Sequence, residues 1–375
     1  MTPSPYATNF GRFDGRIWLN AAHQGPLPLA AASALEAAIA DRLAPYRIAD
    51  ADFSGIPARL HELLARLVGG ASDEIALGNS ASYGLDVLAQ GIAWRPGDEV
   101  LVVDGDFPAS VFPWRVLEPR GVTIRFLRAD ENTAVAVAEH LTDRTRVFCT
   151  SWVNSFTGYA IDIDAIGRVC RDAGVWFVLN AAQGMGTRGL DVTRVPVDAV
   201  TSCGYKFLCG PYGTGFVWIA PALRDTLEPL HTYWLPNVWN QPGGLQQYDV
   251  KLRGTAQVHD IGCPANFFNY VPWVASLEYI LSIGVAEIAR YNQALIDDFL
   301  PLIDDTVFEL VSPRSSACRS TLVVLRPRAG DSAPHHARLA AAGVDVAQRG
   351  GAIRLAPHLY NSAADLARAA AVLRQ

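Results

Sequence analysis

Lysine is nearly missing from this chain. Lys206 and Lys251 are the only two among 375 residues, and the other 29 of the 31 basic residues are arginine. A chemistry that needs an amine therefore has two places to sit. No uninterrupted apolar stretch reaches membrane-spanning length, so no crossing of a bilayer is expected. The first fifteen residues carry neither a charged head nor an apolar run, and no signal peptide is expected there. An excess of basic charge is also missing. The formal net charge is −6, which argues against a nucleic-acid partner, because phosphate binding needs a concentrated basic surface. The six cysteines, at 149, 170, 203, 209, 263 and 318, form no CxxC and sit beside no histidine at a metal-ligand spacing, so no metal is expected. They read as reduced thiols of a cytoplasmic protein, mostly core filler. The one adjacent histidine pair, His335-His336, lies in a polar stretch that reads as a solvated loop. There is no internal repeat and no low-complexity linker.

What is present is a core. The chain is 50% hydrophobic and 18% charged, which excludes disorder and leaves room for two or three domains. Its middle alternates strand and helix patterns. Strands are predicted over 99–103, 122–127, 146–151, 175–179, 199–202 and 215–219, with helices over 108–117, 133–141 and 162–172. Apolar strands alternating with helices predict an α/β unit on a largely parallel sheet, buried on both faces. Two helices precede it, over 29–43 and 57–68, the second with Pro57 near its start. After about residue 245 the texture changes. Helices over 265–282 and 285–300 break at Gly284. Short strands follow over 308–311, 322–325, 344–347 and 353–355, then an Ala-rich helix over 362–373. This predicts a smaller α+β domain. The expected division is a large domain over 30–250 and a small one combining 1–29 with 251–375.

One motif misleads. Gly184-Met185-Gly186-Thr187-Arg188-Gly189 is a literal GxGxxG after a strand. A dinucleotide site needs a helix opening at those glycines. The following residues include Val192, Thr193, Val195 and Pro196, which do not start a helix, so the segment reads as a glycine-rich turn. The stronger signal is Ser202-Cys203-Gly204-Tyr205-Lys206-Phe207-Leu208-Cys209-Gly210-Pro211-Tyr212-Gly213. Aromatic and apolar flanks place Lys206 in the interior. A desolvated amine has a lowered pKa and becomes a nucleophile able to condense with a carbonyl.

Beyond this block, the chain resembles the class V aminotransferase group of pyridoxal 5'-phosphate (PLP) enzymes, fold type I, in the branch of kynureninase, isopenicillin N epimerase and C–S lyases. Six segments carry the resemblance in order along nearly the whole chain. They are Leu19-Asn20-Ala21-Ala22-His23-Gln24-Gly25-Pro26-Leu27-Pro28, Phe107-Pro108, Asn180-Ala181-Ala182-Gln183, Tyr205-Lys206, Arg253-Gly254-Thr255 and Arg354-Leu355-Ala356-Pro357-His358-Leu359-Tyr360-Asn361. The resemblance implies a homodimer with a shared active site, acting on a small amino-acid substrate, with PLP on Lys206.

The roles it implies fit the residue types. Gly78-Asn79-Ser80-Ala81-Ser82 precedes a predicted helix over 83–92, and Ser80, Ala81 and Ser82 at its N-terminus suit a phosphate. Ser80 or Ser82 can also serve as an ordinary N-cap. Phe107 would stack on the pyridine ring. Asn154 and Gln183 are candidates to hydrogen-bond its ring oxygen. Cys203 and Tyr205 belong to the cofactor block, and Tyr205 could reach the phosphate. Thr255 would touch the phosphate of the other subunit. Arg354 is the expected clamp on a substrate carboxylate, since guanidinium binds it with two parallel hydrogen bonds. His23 would approach the substrate.

Two departures bear on the reaction. Cysteine desulfurases of the group carry a nucleophilic cysteine shortly before the C-terminal arginine, and none lies between Arg319 and Arg354. The group also places Asp against the pyridine nitrogen where this chain has Asn180. A neutral amide weakens the ring as an electron sink. That favours β-elimination, which needs negative charge at Cα only until the leaving group departs. The expectation is a lyase cleaving the C–S bond of a cysteine conjugate. Alternatives are a decarboxylating oxidative deaminase, aminotransferase or epimerase of the same family, and a non-catalytic PLP-binding homologue.

Overall fold

A computed structural model describes residues 3–229, 233 and 254–375. Seven strands form the main sheet: β2 Ile75–Gly78, β3 Glu99–Val103, β4 Thr123–Leu127, β5 Thr145–Ser151, β6 Trp176–Asn180, β7 Ala199–Cys203 and β8 Gly215–Ile219. Their order is β2-β8-β7-β6-β5-β3-β4. From β7 through β4 all neighbours are parallel, while β8 runs antiparallel to both β7 and β2. The prediction of a largely parallel sheet agrees. Burial on both faces holds for β2, β3, β7 and β8 but not for β4, an edge strand with an exposed residue at each end of its first four. The parallel strands bring the carboxyl ends of β3, β5, β6 and β7 to one edge. A crevice outside that edge is where open α/β sheets bind ligands.

The helices pack on this sheet. α1, Leu29–Leu43, agrees with the sequence to the residue. α2 spans Asp52–Val68, so Pro57 is not near its start but five residues in. That position lacks the N–H that would bond the carbonyl of Phe53. The buried run Leu60, Leu63, Leu64 and Leu67 against the sheet holds the helix across the gap. The expected helix over 108–117 is instead a 3₁₀ turn, Pro108–Ser110, and a single turn, Phe112–Arg115. Pro108 and Pro113 each open one of these pieces, where a missing N–H is harmless.

A second sheet of order β12-β13-β10-β9 uses Phe308–Leu310 (β9), Val323–Pro327 (β10), Ala347–Arg349 (β12) and Ala352–Leu355 (β13). The predicted strand over 344–347 splits, because Val344–Asp345 (β11) pairs with β1, Ile17–Trp18, near the N-terminus. The chain then runs on between the two sheets. Ala21 and Ala22 pack with Val153, Phe207, Leu322 and Ala356 in one buried cluster. His335 and His336 are not in a loop. They lie in the helix Ala333–Ala341, where the His335 ring packs edge-on against Phe308 at 4.8 Å. Helices Phe267–Ile283 and Val285–Phe299 meet at Gly284, whose φ of +88° suits glycine. No single helix among the described residues is long and apolar enough to cross a membrane.

Candidate active site

Strand β7 ends at Cys203, and the turn that follows carries Lys206. Two glycines make the turn possible. A Cβ on Gly204 would lie 2.3 Å from Thr214 Oγ1, and one on Gly210 would lie 2.4 Å from the Trp273 ring. Lys206 is 9% exposed. Burial lowers its pKa, Cys203 pulls part of the way back, and the positive charges of Arg354 and Arg349 add smaller downward pushes. Its Nζ lies 5.5 Å from the centre of the Phe107 ring, so lysine and aromatic face the same space. The turn is tied on both flanks. The Gly25 N–H donates to the Tyr205 carbonyl at 2.8 Å, and the His358 ring donates from Nε2 to the Phe207 carbonyl at 3.0 Å. Because a carbonyl only accepts, that bond fixes the His358 tautomer. Gly25 admits no side chain: a Cβ there would sit 2.0 Å from the Lys206 carbonyl oxygen.

Asn180 ends β6 and is buried. Its Oδ1 accepts from the Ala182 N–H at 3.2 Å and its Nδ2 donates to Ser110 Oγ at 2.9 Å. An N–H can face only the amide oxygen, so the orientation of the amide is determined. Ser110 Oγ is 3.2 Å from Ser151 Oγ, and Ser151 hydrogen-bonds Asp106. The Asp106 carboxylate also accepts from the N–H groups of Phe107 at 2.6 Å and Ser151 at 2.7 Å. Burial pushes its carboxyl up, and these donors pull it back. A directed row of hydrogen bonds thus runs from the amide of Asn180 to a buried carboxylate. A cavity of about 360 Å³ touches Asp106, Ser151 and Asn154.

The remaining predicted residues fall into place as follows. Asn154 spends Oδ1 on the N–H groups of Phe156 and Thr157 at 2.9 and 3.0 Å, which leaves Nδ2 to donate elsewhere. Gln183 donates from Nε2 to the Ala22 carbonyl at 3.1 Å, while its buried Oε1 has no partner. Ser80 is the N-cap of α3, Ala81–Gly91, accepting from the Tyr83 N–H at 3.1 Å. Its own proton goes to Asn79 Oδ1 at 2.9 Å. The helix therefore offers the first-turn N–H groups of Ala81 and Ser82, and the hydroxyl of Ser80 is already committed. Tyr205 lies 4.6 Å from the Tyr212 ring, and Cys203 beside it is held protonated by burial. Thr255 is half-buried with Oγ1 unpartnered. Arg253 and Lys251 lie outside the described residues.

Arg354, in β13, is 2% exposed. It donates from Nη1 to the Ser155 carbonyl at 3.1 Å, and its Nε has no partner. Burial lowers its pKa to about 10, with Arg349 adding repulsion. His23 is exposed, and partial loss of solvent, then the charges of Arg349, Arg354 and Lys206, lower the pKa of its ring. The sequence reading missed Asp106, Ser110, Ser151 and Arg349. Adjacency to Phe107-Pro108 was a signal for Asp106, and proximity to Arg354 was one for Arg349. The segment 184–189 is a turn with no helix after it, closed by Thr187 and Arg188 N–H bonds to the Gly184 carbonyl, as its β-branched sequel predicted.

These groups fit PLP. A buried amine with lowered pKa, an aromatic facing it, a helix N-terminus with free N–H groups and a polar end to β6 match its aldehyde, ring, phosphate and ring nitrogen. The unpartnered Thr255 Oγ1, Gln183 Oε1 and Arg354 Nε are the unspent bonding capacity that a ligand would use.

Comparisons with known proteins agree. The family model described as aminotransferase class-V matches residues 49–368. A probable cysteine desulfurase of Methanothermobacter thermautotrophicus is 28% identical over 63% of this chain, and the match spans 58% of that protein's length. Isopenicillin N epimerase of Streptomyces clavuligerus is 28% identical over 74% of this chain and 73% of its own. The solved structure of a cystine C–S lyase in complex with its product, cysteine persulfide, superposes with a TM-score of 0.85 at 21% identity, covering 96% of this chain and 99% of the other. With 320 of its residues inside the family match and a fold type I sheet presenting Lys206, the chain belongs to the class V aminotransferase family of PLP-dependent enzymes.

Proposed function

We propose that the protein is a lyase that cleaves the C–S bond of a cysteine conjugate by β-elimination, giving a thiol, pyruvate and ammonia with uptake of one water. The observation that carries this reading is Asn180, a neutral amide locked at the end of β6 where the group has a carboxylate. The relatives named as desulfurase and C–S lyase support the same bond class. PLP, when bound, would supply the electron-withdrawing ring that stabilises negative charge at Cα. Lys206 would hold it, with Phe107 against the ring, Asn154 and Gln183 at its oxygen, and, at its phosphate, Tyr205 and the N–H groups of Ala81 and Ser82 in the helix turn that Ser80 caps.

The chain's own residues do the rest. Arg354 holds the substrate's α-carboxylate with a guanidinium already stripped of water. Burial lowers the Lys206 pKa, which favours its acting as the base that takes the Cα proton. His23 hydrogen-bonds the side chain of the substrate. A desulfurase-type persulfide has no suitable host in this turn, since burial raises the thiol pKa of Cys203 and Cys209. The unpartnered Thr255 hydroxyl supports a homodimer in which it meets the partner's phosphate.

The test is incubation with S-substituted cysteines while pyruvate, ammonia and oxygen uptake are followed. Pyruvate with no oxygen uptake supports elimination. Oxygen consumption points to oxidative deamination. Conversion of the cofactor to its amine form points to transamination. For Asn180→Asp the expected outcome is more side transamination relative to elimination. An unchanged ratio would remove the reason for preferring a lyase.

A further inference from the structure

Arg349 stands at the end of β12, two residues beyond Ala347, and Ala347 pairs directly with Arg354 on β13. Residues opposite one another in an antiparallel pair share a face, and so do residues two apart on one strand. Arg349 and Arg354 therefore project from the same face as diagonal neighbours, about 7–8 Å apart at their bases. Gln348 and Ile353, paired with each other, project from the opposite face.

Two guanidinium groups side by side in a half-buried place repel, and something must offset that. Among the described residues neither Arg349 nor Arg354 has an ion-pair partner. Arg349 donates from Nη1 only to the neighbouring Gln348 carbonyl at 2.9 Å. Arg354 keeps a buried Nε unpartnered. The charges that act on His23, Lys206 and Arg354 include Arg349 each time and, among the described residues, no carboxylate. An amino acid held through its α-carboxylate would satisfy Arg354 and leave Arg349 unmatched.

We infer that the substrate carries a second anionic group on its side chain, and that Arg349 binds it while Arg354 binds the α-carboxylate. The substrate class is then an amino acid with an acidic side chain. If the lyase reading above holds, it is a cysteine thioether whose sulfur substituent ends in a carboxylate. Arg349 selects among substrates and takes no part in bond making.

The test uses holoenzyme and two sets of probes. Unreactive succinate and propionate are titrated against the visible absorption band of the cofactor. Wild type should bind succinate at least ~10-fold more tightly than propionate. In Arg349→Gln that preference should vanish with propionate affinity changed by less than about 2-fold, and Arg349→Lys should restore part of it. Equal affinities in wild type, or an equal loss of both probes in Arg349→Gln, overturns the inference. The second set compares S-carboxymethylcysteine with S-methylcysteine. Tighter binding of the acidic thioether without release of pyruvate would sink the lyase reading and leave Arg349's role standing. Pyruvate from both thioethers with equal KM would do the reverse.

Discussion

The surface of this molecule and its ligand-binding crevice use arginine in opposite ways. On the surface, Arg16 meets Asp345 at 2.8 Å, Arg290 meets Glu287 at 2.6 Å and Arg326 meets Glu309 at 3.0 Å. These pairs are solvated and screened, and such pairs add little to stability. In the crevice, Arg349 and Arg354 stand near a buried lysine, and among the described residues no acid pairs with either. The surface cations find acids close by, within one helix turn for Arg290 and on the paired strand for Arg326. The protein leaves these two crevice cations without an acid among the described residues, at a cost in stability, and an anionic ligand recovers that cost on binding. Pairing, rather than abundance, separates the arginines that matter for binding from the rest.

The strongest challenge to this contrast is removal of the central amine. Lys206→Ala should lower turnover by more than about 1,000-fold, and borohydride reduction of wild type followed by peptide mapping should find the cofactor on Lys206. Label on Lys251 instead would break the contrast at its centre. Next in size is Arg354→Gln. Loss of a buried charge-assisted bidentate contact should weaken amino-acid binding by about 2–4 kcal/mol, read from spectral titration, with cofactor affinity nearly unchanged. An unchanged apparent affinity would show that the carboxylate is held elsewhere.

A smaller effect concerns acid. Burial lowers the His358 pKa to about 4, against about 6.5 in an unfolded chain. The folded state thus binds the proton less readily, and the sign follows from that. The stability tied to neutral His358 is fully present above about pH 6.5 and is lost as pH falls toward 4. In protonated form His358 would turn a second N–H toward Asn292 Nδ2, itself a donor. Urea midpoints from pH 7 to 4.5 should fall less steeply for His358→Asn than for wild type. The smallest effect sharpens the surface side of the comparison. Arg326→Gln should move Tm by less than about 2 °C by calorimetry. A loss comparable to that of the crevice variants would erase the distinction.

Much of this was legible in the chain itself, and the reasons are physical. Buried strands announce themselves by apolar runs, and β3 and β8 agree with the sequence to the residue. Lys206 stood out because lysine is so scarce. Arg349 did not, because one arginine among 29 carries no contrast. Its meaning needs the register of β12 on β13, which no local pattern encodes. β1 and β11 are two residues each, too short for any periodicity to show. Asp106 reads locally as a turn residue, and only the pairing of β3 with β5 brings Ser151 to its carboxylate. Pro57 sits inside α2 because tertiary packing overrides a local preference.

The two bonds that flank Lys206 also set an order in time. One comes from Gly25, early in the chain, and the other from His358, close to its end. A ribosome releases Lys206 long before it releases His358. Until then the lysine turn has only its upstream tether, and β13 with Arg354 does not yet exist. Cofactor capture in its final geometry therefore waits until residue 358 has emerged. A chain stalled before residue 358 would carry the reactive lysine without the clasp that shapes its surroundings. Ribosome-bound chains ending just before and just after that point should differ in how firmly they retain PLP.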